Sequence, residues 1–212
     1  MIQSIKAAVF DLDGTLYFSD PVGREIERVA AVYISRIRGI DPETALELTR
    51  ATRKRLTIEN GFEASLSIAC IALGGDLREL HALFSAEISP EPLLERDDTI
   101  VEMLAGLARV FPLYIYTNNN RSLSSRIMNV LGVSGLFDGV FTIEDNWQPK
   151  PDRDMLEYIM SEIGRKPSEC LFVGDRYDID LRLPEEMGAK VHLVNNREAL
   201  LALNHFCSGD KP

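Results

Sequence analysis

The chain has few of the features that mark membrane, disulfide-bonded or nucleic-acid-binding proteins. Its three cysteines, Cys70, Cys170 and Cys207, are far apart and form no CxxC pair, so we expect reduced core thiols in a cytoplasmic protein. No segment approaches the roughly 20 apolar residues that a membrane helix needs. Basic residues are outnumbered, and the net charge of −10 argues against a nucleic-acid backbone or an anionic membrane as partner.

Two sequence motifs of ligand and metal binding are also absent. The sequence has no GxxxxGK[ST] stretch, the loop with which nucleoside triphosphatases bind phosphates, and no His/Cys cluster with the spacing of a zinc site. The apolar fraction is 45% of 212 residues, which is enough for a full hydrophobic core. An acidic chain of this kind suits a divalent cation and a small-molecule ligand, and we expect a monomer or a weak homodimer.

The most informative segment is AAVFDLDGTLY, residues 7–17. A short apolar run, typical of a buried strand, ends there at Asp11 and Asp13. Because side chains alternate along an extended chain, Leu12 points away and the two carboxylates can face one pocket. Carboxylates this close repel each other unless a cation or a shared proton intervenes. Taken alone, the segment is equally compatible with a surface turn, since DxDG also occurs in calcium loops.

The rest of the chain shows two patterns. From Asp20 to about Arg109 it reads as helix, with Asp-Pro pairs as start signals. After Arg109, the short β runs LYIYT, GVFT, CLFVG and KVHLV alternate with helical segments such as 121–131 and 152–163. This alternation predicts an α/β fold with a Rossmann-like parallel-sheet core. The helical block is then an insertion after the first strand, placed to act as a lid over the two aspartates.

Polar side chains follow the later β runs, where strands of a parallel sheet converge on one edge. Thr117 and Asn118 end LYIYT, Lys150 lies between two prolines after GVFT, and Asp175 and Asp180 follow CLFVG. Each has a plain structural alternative, as a helix cap, a solvated lysine or a capping turn. Because all of these residues follow β runs of one parallel sheet, the sequence predicts a single site that contains carboxylates, a lysine and a hydroxyl.

These segments carry a family resemblance. FDLDGTLY, YTNN, QPKPD and FVGDRYDID resemble, in order, the four sequence motifs of the haloacid dehalogenase superfamily. The resemblance covers the whole chain, with residues 1–17 and 98–212 as the α/β catalytic core and 18–97 as an inserted α-helical cap. It implies a magnesium-dependent phosphomonoesterase that acts on a small phosphorylated metabolite through an aspartyl-phosphate intermediate.

The resemblance also implies roles for individual residues. Asp11 would be the nucleophile, Asp13 the general acid and then the general base, and Lys150 the cation that orients Asp11. Thr117 and Asn118 would bind the transferring phosphoryl group. The Mg²⁺ ligands would be the Asp11 carboxylate, the Asp13 backbone carbonyl, Asp175 and, directly or through water, Asp180.

Asp13 also bears on the subclass. Family members that cleave carbon–halogen bonds lack this second aspartate, so its presence favours phosphoryl transfer. DGTLY with the TN and PKPD motifs further resembles the pyrimidine nucleotidase branch, which implies a nucleoside monophosphate or a similarly small phosphoester as substrate. Two alternatives stay open: a phosphomutase of the same fold, and a regulatory protein that binds a phosphate ligand without turnover.

The sequence departs from the family pattern at two places. Arg176 stands where a small residue is frequent, and could bind an anionic substrate or pair with a nearby carboxylate. Leu183 and Pro184 replace a common Gly-Ala pair, so the helix after Asp180 is expected to be kinked or to begin late. Within the helical insertion, the polar candidates for contact with the leaving group are Thr57, Asn60 and Glu63.

Overall fold

One parallel sheet forms the centre of the molecule. The computed structural model describes residues 5–208. The five strands are β1 (Ala7–Phe10), β2 (Leu113–Tyr116), β3 (Gly139–Phe141), β4 (Cys170–Gly174) and β5 (Lys190–Leu193). They run parallel in the order β3-β2-β1-β4-β5. The predicted α/β class with a Rossmann-like sheet is confirmed.

The central strand is buried on both of its faces. Ala8 and Phe10 belong to a large hydrophobic cluster on one side of the sheet, and Ala7 and Val9 to a smaller cluster on the other. This split follows from the alternation of side chains along a strand. Helices therefore cover both faces, as parallel sheets require, and the chemistry is left to the strand ends.

Ten α-helices are assigned within residues 5–208. Four of them, which we call the helical insertion, lie between β1 and α5: α1 (Asp20–Arg38), α2 (Pro42–Asn60), α3 (Leu66–Ala72) and α4 (Leu77–Glu87). The others are α5 (Asp98–Ala108), α6 (Arg121–Leu131), α7 (Arg153–Ile163), α8 (Arg182–Glu186), α9 (Arg197–Leu201) and α10 (His205–Ser208).

Local signals set the helix boundaries. The Asp41 side chain accepts hydrogen bonds from the backbone N–H groups of Glu43 and Thr44, which caps α2. Gly132 and Gly164 end α6 and α7 in the left-handed conformation that glycine tolerates. The predicted helical segments 121–131 and 152–163 are thus confirmed to within a residue.

Residues of the helical insertion share the larger hydrophobic cluster with the sheet. Val29 and Ile34 of α1 and Leu80 of α4 are fully buried in it, together with Phe10 of β1. The insertion follows β1 directly and so lies at the carboxyl end of the sheet. The division at residues 17/18 and 97/98 stays a prediction.

Cys70 and Cys170 are buried free thiols, and burial raises their pKa to about 12 and about 11. The side chain of Cys207 lies outside the part that the structure describes. Among the described helices, none has both the length and the apolar character needed to cross a bilayer.

Candidate active site

The predicted site residues meet at the carboxyl edge of the three central strands. Asp11 follows β1, and its backbone N–H donates to the carbonyl of Val173 in β4 at 2.8 Å. Thr117 follows β2, and its N–H donates to the carbonyl of Phe141 in β3 at 3.0 Å. Asp175 follows β4. The sheet register therefore brings motifs that are far apart in sequence into one cluster.

Lys150 lies at the centre of this cluster. Its Nζ is 2.6 Å from Asp11 Oδ1 and 2.8 Å from Asp180 Oδ1, and the lysine is 2% exposed. Its backbone N–H donates to Asn118 Oδ1 at 2.8 Å, which holds the loop against the end of β2. A buried ammonium must be paired, so the solvated-loop alternative is wrong for this lysine.

The carboxylates of the cluster differ in charge preference. Burial raises the pKa of Asp11 to about 7 against the opposing attraction of Lys150, and burial likewise raises the pKa of Asp175 to about 6 against Arg176. Burial would also raise the pKa of Asp180, but attraction by Lys150 and Arg176 outweighs it and lowers that pKa. Asp180 is therefore the charged partner of Lys150 at neutral pH, whereas Asp11 and Asp175 hold their protons more tightly than usual, and added positive charge would favour their ionised forms.

Three of the carboxylates fit a divalent metal ion. Oxygen atoms of Asp11, Asp175 and Asp180 all lie within 4.8 Å of one another. Asp175 Oδ1 is buried and makes no hydrogen bond within the described residues. Carboxylate oxygens are the donors that hard cations such as Mg²⁺ and Ca²⁺ prefer. The donor set is thus suited to a hard divalent cation, which would supply the missing positive charge.

Gly14 leaves the space that Asp175 occupies. Its φ is +83°, and a Cβ at this position would lie 2.6 Å from Asp175 Oδ2. We expect Gly14→Ala to displace Asp175 and weaken divalent-metal binding at least tenfold, measured by titration calorimetry. Gly39→Ala is the matched control, because Gly39 has a φ of +65° and open space around it. Both variants bear left-handed strain of about 1–2 kcal/mol, so equal metal affinity in the two would contradict the expectation.

Asp13 lies apart from Lys150 and has its own set of donors. Its Oδ1 accepts a hydrogen bond from the Tyr17 hydroxyl, and its Oδ2 accepts from Asn119 Nδ2 at 2.6 Å and from Thr117 Oγ1 at 3.4 Å. Burial raises the pKa of Asp13, although the Tyr17 hydrogen bond opposes this. A carboxyl group that holds its proton more tightly than usual is suited to donate it in catalysis.

Two of these contacts were missed in the sequence. Neither Tyr17 nor Asn119 is among the site residues predicted from the sequence. The signal for Tyr17 is its position four residues after Asp13, where a tight turn brings the two together. The signal for Asn119 is the second asparagine of YTNN, whose backbone N–H donates to Thr117 Oγ1 at 3.1 Å.

Thr117 and Asn118 are placed differently by the structure. Thr117 is fully buried, and its hydroxyl is occupied by Asn119 and Asp13. Asn118 lies on the cavity wall, and its buried Nδ2 makes no hydrogen bond within residues 5–208. Asn118 is therefore the better placed of the two to donate to a ligand oxygen.

The segment after Asp175 is a wide helical turn. Residues Tyr177–Leu181 form a π-helical turn that leads directly into α8 at Arg182, where a helix that is kinked or begins late was expected. The turn directs Asp180 toward Lys150 and Asp178 toward the insertion, where Asp178 Oδ2 accepts from the Glu63 N–H at 2.9 Å. One short segment thus serves both the site and its contact with the insertion.

A cavity of about 710 Å³ lies between the helical insertion and the sheet edge. The sheet side contributes Asp13, Asn118, Asn119, Asp175 and Arg176, and the insertion contributes among others Arg24, Arg53, Ser65, Ser67 and His81. The predicted contacts Thr57, Asn60 and Glu63 are not part of this wall. Thr57 Oγ1 instead accepts from the Ala64 N–H at 3.0 Å, and Glu63 pairs with Arg53.

His81 is the buried imidazole of this wall. It is 2% exposed, and its ring meets those of Phe84 and Trp147 edge to face with centroid distances of 5.1 and 6.3 Å. Burial lowers its pKa to about 4, so the ring is neutral at physiological pH. Its carbonyl accepts from Asn120 Nδ2 at 3.0 Å, which joins α4 to the sheet side of the molecule.

Comparison with known proteins agrees with this geometry. The sequence profile of the haloacid dehalogenase-like hydrolases matches residues 5–188. A pyrophosphatase, PpaX, of Bacillus velezensis is 29% identical over 89% of this chain and 82% of its own length. An (S)-2-haloacid dehalogenase of Pseudomonas fluorescens is 28% identical over 81% of this chain and 77% of its own length.

A solved structure shares the fold. A phosphatase of this superfamily from Thermococcus onnurineus superposes with a TM-score of 0.58 at 21% identity, over 91% of this chain and 87% of the other. The matched profile spans most of the chain and includes the sheet edge with Asp11, Lys150 and Asp175. Hydrolases of this family generally use a divalent metal, in keeping with the three clustered carboxylates. The chain belongs to the haloacid dehalogenase-like hydrolase family.

Proposed function

We propose that this hydrolase is a magnesium-dependent phosphomonoesterase of small phosphorylated metabolites. The observation that carries the proposal is Lys150, buried between Asp11 and Asp180, with Asp175 beside them and Asp13 held apart on the cavity wall. A pyrophosphatase among its relatives supports phosphoryl transfer. The helical insertion, with the boundaries 18–97, is the cap that covers the site.

The charges of the cluster suit attack on a phosphate dianion. Such a dianion repels an attacking carboxylate, so positive charge is needed where the two anions meet. Lys150 supplies one charge through its contact with Asp11 Oδ1. Asp11 Oδ2, which accepts a hydrogen bond from the Thr15 hydroxyl at 3.2 Å, would be the oxygen that attacks phosphorus. Asp11, Asp175 and the Asp13 carbonyl would hold Mg²⁺, which when bound neutralises further negative charge on the phosphoryl group. Asp180, whose two oxygens accept from Lys150 and from the Arg176 N–H, would bind the ion directly or through water.

Asp13 would move the proton in both halves of the reaction. When Asp11 forms its bond to phosphorus, the bond to the leaving oxygen breaks and Asp13 gives that oxygen its proton. In the second half, Asp13 takes a proton from the water that attacks the aspartyl phosphate. Asp11 is then released and inorganic phosphate is the product. Asn119 and Tyr17 hold the Asp13 carboxyl in place for both transfers.

The haloacid dehalogenase relative defines the competing activity. Cleavage of a carbon–halogen bond expels a halide ion, which needs no proton from a general acid. The hydrogen-bonded Asp13, whose pKa is raised, would have no role in that reaction. Asp13 therefore favours the phosphatase over the dehalogenase.

We expect release of inorganic phosphate from p-nitrophenyl phosphate that requires added Mg²⁺ and stops with a chelator. Asp13→Asn should lower the rate about 10²-fold to 10⁴-fold because it removes the general acid. Asp138→Asn, an exposed substitution, is the control that should leave the rate unchanged. Chloride release from 2-chloropropionate would indicate a dehalogenase instead. Isomerisation of a sugar phosphate without release of free phosphate would indicate a phosphomutase.

A further inference from the structure

Arg176 is a partly buried cation on the cavity wall that lacks a strong partner. Its side chain is 28% exposed, and its nearest carboxylate contact joins Nε to Asp175 Oδ1 at 3.6 Å, beyond hydrogen-bond length. Within residues 5–208 the guanidinium makes no hydrogen bond, although the backbone N–H of the same residue donates to Asp180 Oδ2 at 3.1 Å. Five N–H donors are thus left without an acceptor.

Two other arginines at the boundary between the helical insertion and the sheet have close acceptors. Arg53, on the same cavity wall, donates from Nε to the Ala64 carbonyl at 2.7 Å and pairs with Glu63. Arg126 binds both oxygens of Glu91 at 2.7 Å. Buried or half-buried guanidinium groups normally find such acceptors. Arg176 differs because its backbone is held by Asp180 while its side chain extends to the cavity.

The carboxylates around Arg176 do not satisfy it. Asp11 and Asp180 are bound to Lys150 at 2.6 and 2.8 Å. Asp175 belongs to the cluster that is suited to a metal ion, and a cation there would compete with Arg176 for it. Partial burial would lower the pKa of Arg176, but attraction by Asp180 and Asp11 outweighs it and raises that pKa, so the side chain stays charged.

The position of Arg176 points to the leaving-group side of the site. Arg176 and Asp13 both line the cavity, and the charge of Arg176 is one of the influences that oppose the rise in the Asp13 pKa. In the proposed reaction Asp13 protonates the leaving oxygen. A group attached close to that oxygen would therefore lie near the guanidinium.

We propose that Arg176 is a specificity-determining residue, whose guanidinium binds a second anionic group, a carboxylate or a phosphate, on the leaving group. The inference rests on the phosphatase function proposed above and narrows its substrate class. A planar guanidinium can bind either anion through two parallel hydrogen bonds. Phosphorylated hydroxy acids and compounds with two phosphates fit this class, whereas esters with an uncharged leaving group do not.

The test compares binding of phosphonates that the enzyme does not hydrolyse, at a fixed free Mg²⁺ concentration, by titration calorimetry. Phosphonoacetate carries a carboxylate, methylenediphosphonate carries a second phosphate-like group, and ethylphosphonate carries neither. We expect at least one of the two charged probes to bind roughly 10-fold to 100-fold more tightly than ethylphosphonate. The stronger of the two identifies the anion.

Substitutions then assign the preference to Arg176. Arg176→Gln should abolish the preference for charged probes and leave the affinity for ethylphosphonate within about twofold. Arg176→Lys should retain part of the preference, because lysine keeps the charge but not the planar pair of N–H donors. Arg28→Gln is the control, since Arg28 is an exposed arginine of α1 paired with Glu25. Mg²⁺ affinity, measured without phosphonate, should change little in Arg176→Gln.

Turnover provides a second readout. In the wild type, kcat/KM for a phosphorylated hydroxy acid should exceed that for the matching phosphorylated alcohol and for a nucleoside monophosphate by at least about tenfold. Arg176→Gln should remove this difference mainly through KM.

Three results would overturn the inference. If all three phosphonates bind with equal affinity and the enzyme still releases phosphate, this inference is wrong and the phosphatase proposal stands. If Arg176→Gln lowers the affinity for all three phosphonates equally, or lowers only the affinity for Mg²⁺, Arg176 is a counterion of the carboxylate cluster. Absence of any phosphoester turnover in the wild type would remove the proposed function, and this inference with it.

Discussion

Turnover of phosphate esters is expected to fall about 10⁴-fold to 10⁶-fold when Asp11 is replaced by asparagine. The amide oxygen of asparagine is a poor nucleophile, and the residue cannot form the aspartyl phosphate. The shape of the side chain is kept, so Lys150 Nζ can still contact the Oδ1 position from which it lies 2.6 Å in the wild type. The measurement is phosphate release under saturating Mg²⁺, with Asp138→Asn as a surface control. Activity within tenfold of the wild type would contradict the assignment of the nucleophile.

The same substitution should alter stability in a pH-dependent way. The pKa of Asp11 is raised to about 7 from an ordinary 3.8, so the folded protein holds this proton more tightly than the unfolded chain does. The stability that this proton contributes is fully present below about pH 4 and is lost as the pH rises through 7. Asparagine resembles the protonated acid at every pH. We therefore expect Asp11→Asn to stabilise the metal-free protein at pH 8, by roughly 2–4 kcal/mol, and hardly at all at pH 4.

Urea unfolding of the metal-free protein at the two pH values provides the measurement. Added Mg²⁺ should restore much of the stability of the wild type at pH 8, because binding to the folded state alone stabilises it. It should do less for Asp11→Asn, which has lost one charged ligand. A variant that is less stable than the wild type at pH 8 would show that the charged form of Asp11 is favoured by its surroundings.

Replacing Lys150 with methionine is expected to destabilise the protein by about 3–5 kcal/mol at pH 8, the usual effect of removing one partner of a buried ion pair. The lysine is 2% exposed, and its ammonium contacts both Asp11 and Asp180. Without it, these two buried carboxylates lose the ammonium that lies between them. Methionine fills a similar volume, so the loss reflects charge rather than a cavity. Turnover should also fall, by about 10³-fold or more, because positive charge is lost where two anions meet.

The loss of stability in Lys150→Met should become smaller as the pH falls. Removal of the lysine raises the pKa of Asp11 further and also that of Asp180, since Lys150 lowers both. Protonation then relieves the repulsion, so we expect a smaller stability difference from the wild type at pH 5 than at pH 8, by urea unfolding at both values. Lys54→Met, at an exposed position of α2, is the control. An equal loss at both pH values would indicate that packing, not charge, is what Lys150 supplies.

Much of the fold could be predicted because its signals are local. Short β runs formed all five strands, which are three to five residues long. Gly132 and Gly164 ended their helices because glycine adopts positive φ at no steric cost. Parallel strands place their carboxyl ends on one edge, so the convergence of Asp11, Lys150 and Asp175 also followed from order along the chain. The cluster could therefore be predicted from the sequence.

Other features of the site depend on how separate elements pack. Whether Arg176 pairs with a carboxylate could not be read from its neighbours, because Lys150, more than twenty residues earlier, already occupies Asp11 and Asp180. The same holds for the cavity wall, where Thr57 and Glu63 were expected and Ser65 and His81 are found. Residue spacing determines which face of a helix is polar, but the orientation of the helix on the sheet determines what that face meets.

The sequence by itself thus determined the strands, the class of fold and the residues that meet at the carboxyl edge of the sheet, since each follows from short-range periodicity and strand polarity. The tertiary structure decided the partners of those residues: Tyr17 and Asn119 on Asp13, the insertion residues that line the cavity, and the unsatisfied guanidinium of Arg176. The physical reason is that hydrogen bonding and burial of charge are set by distances of a few ångströms between segments whose spacing along the chain carries no such information.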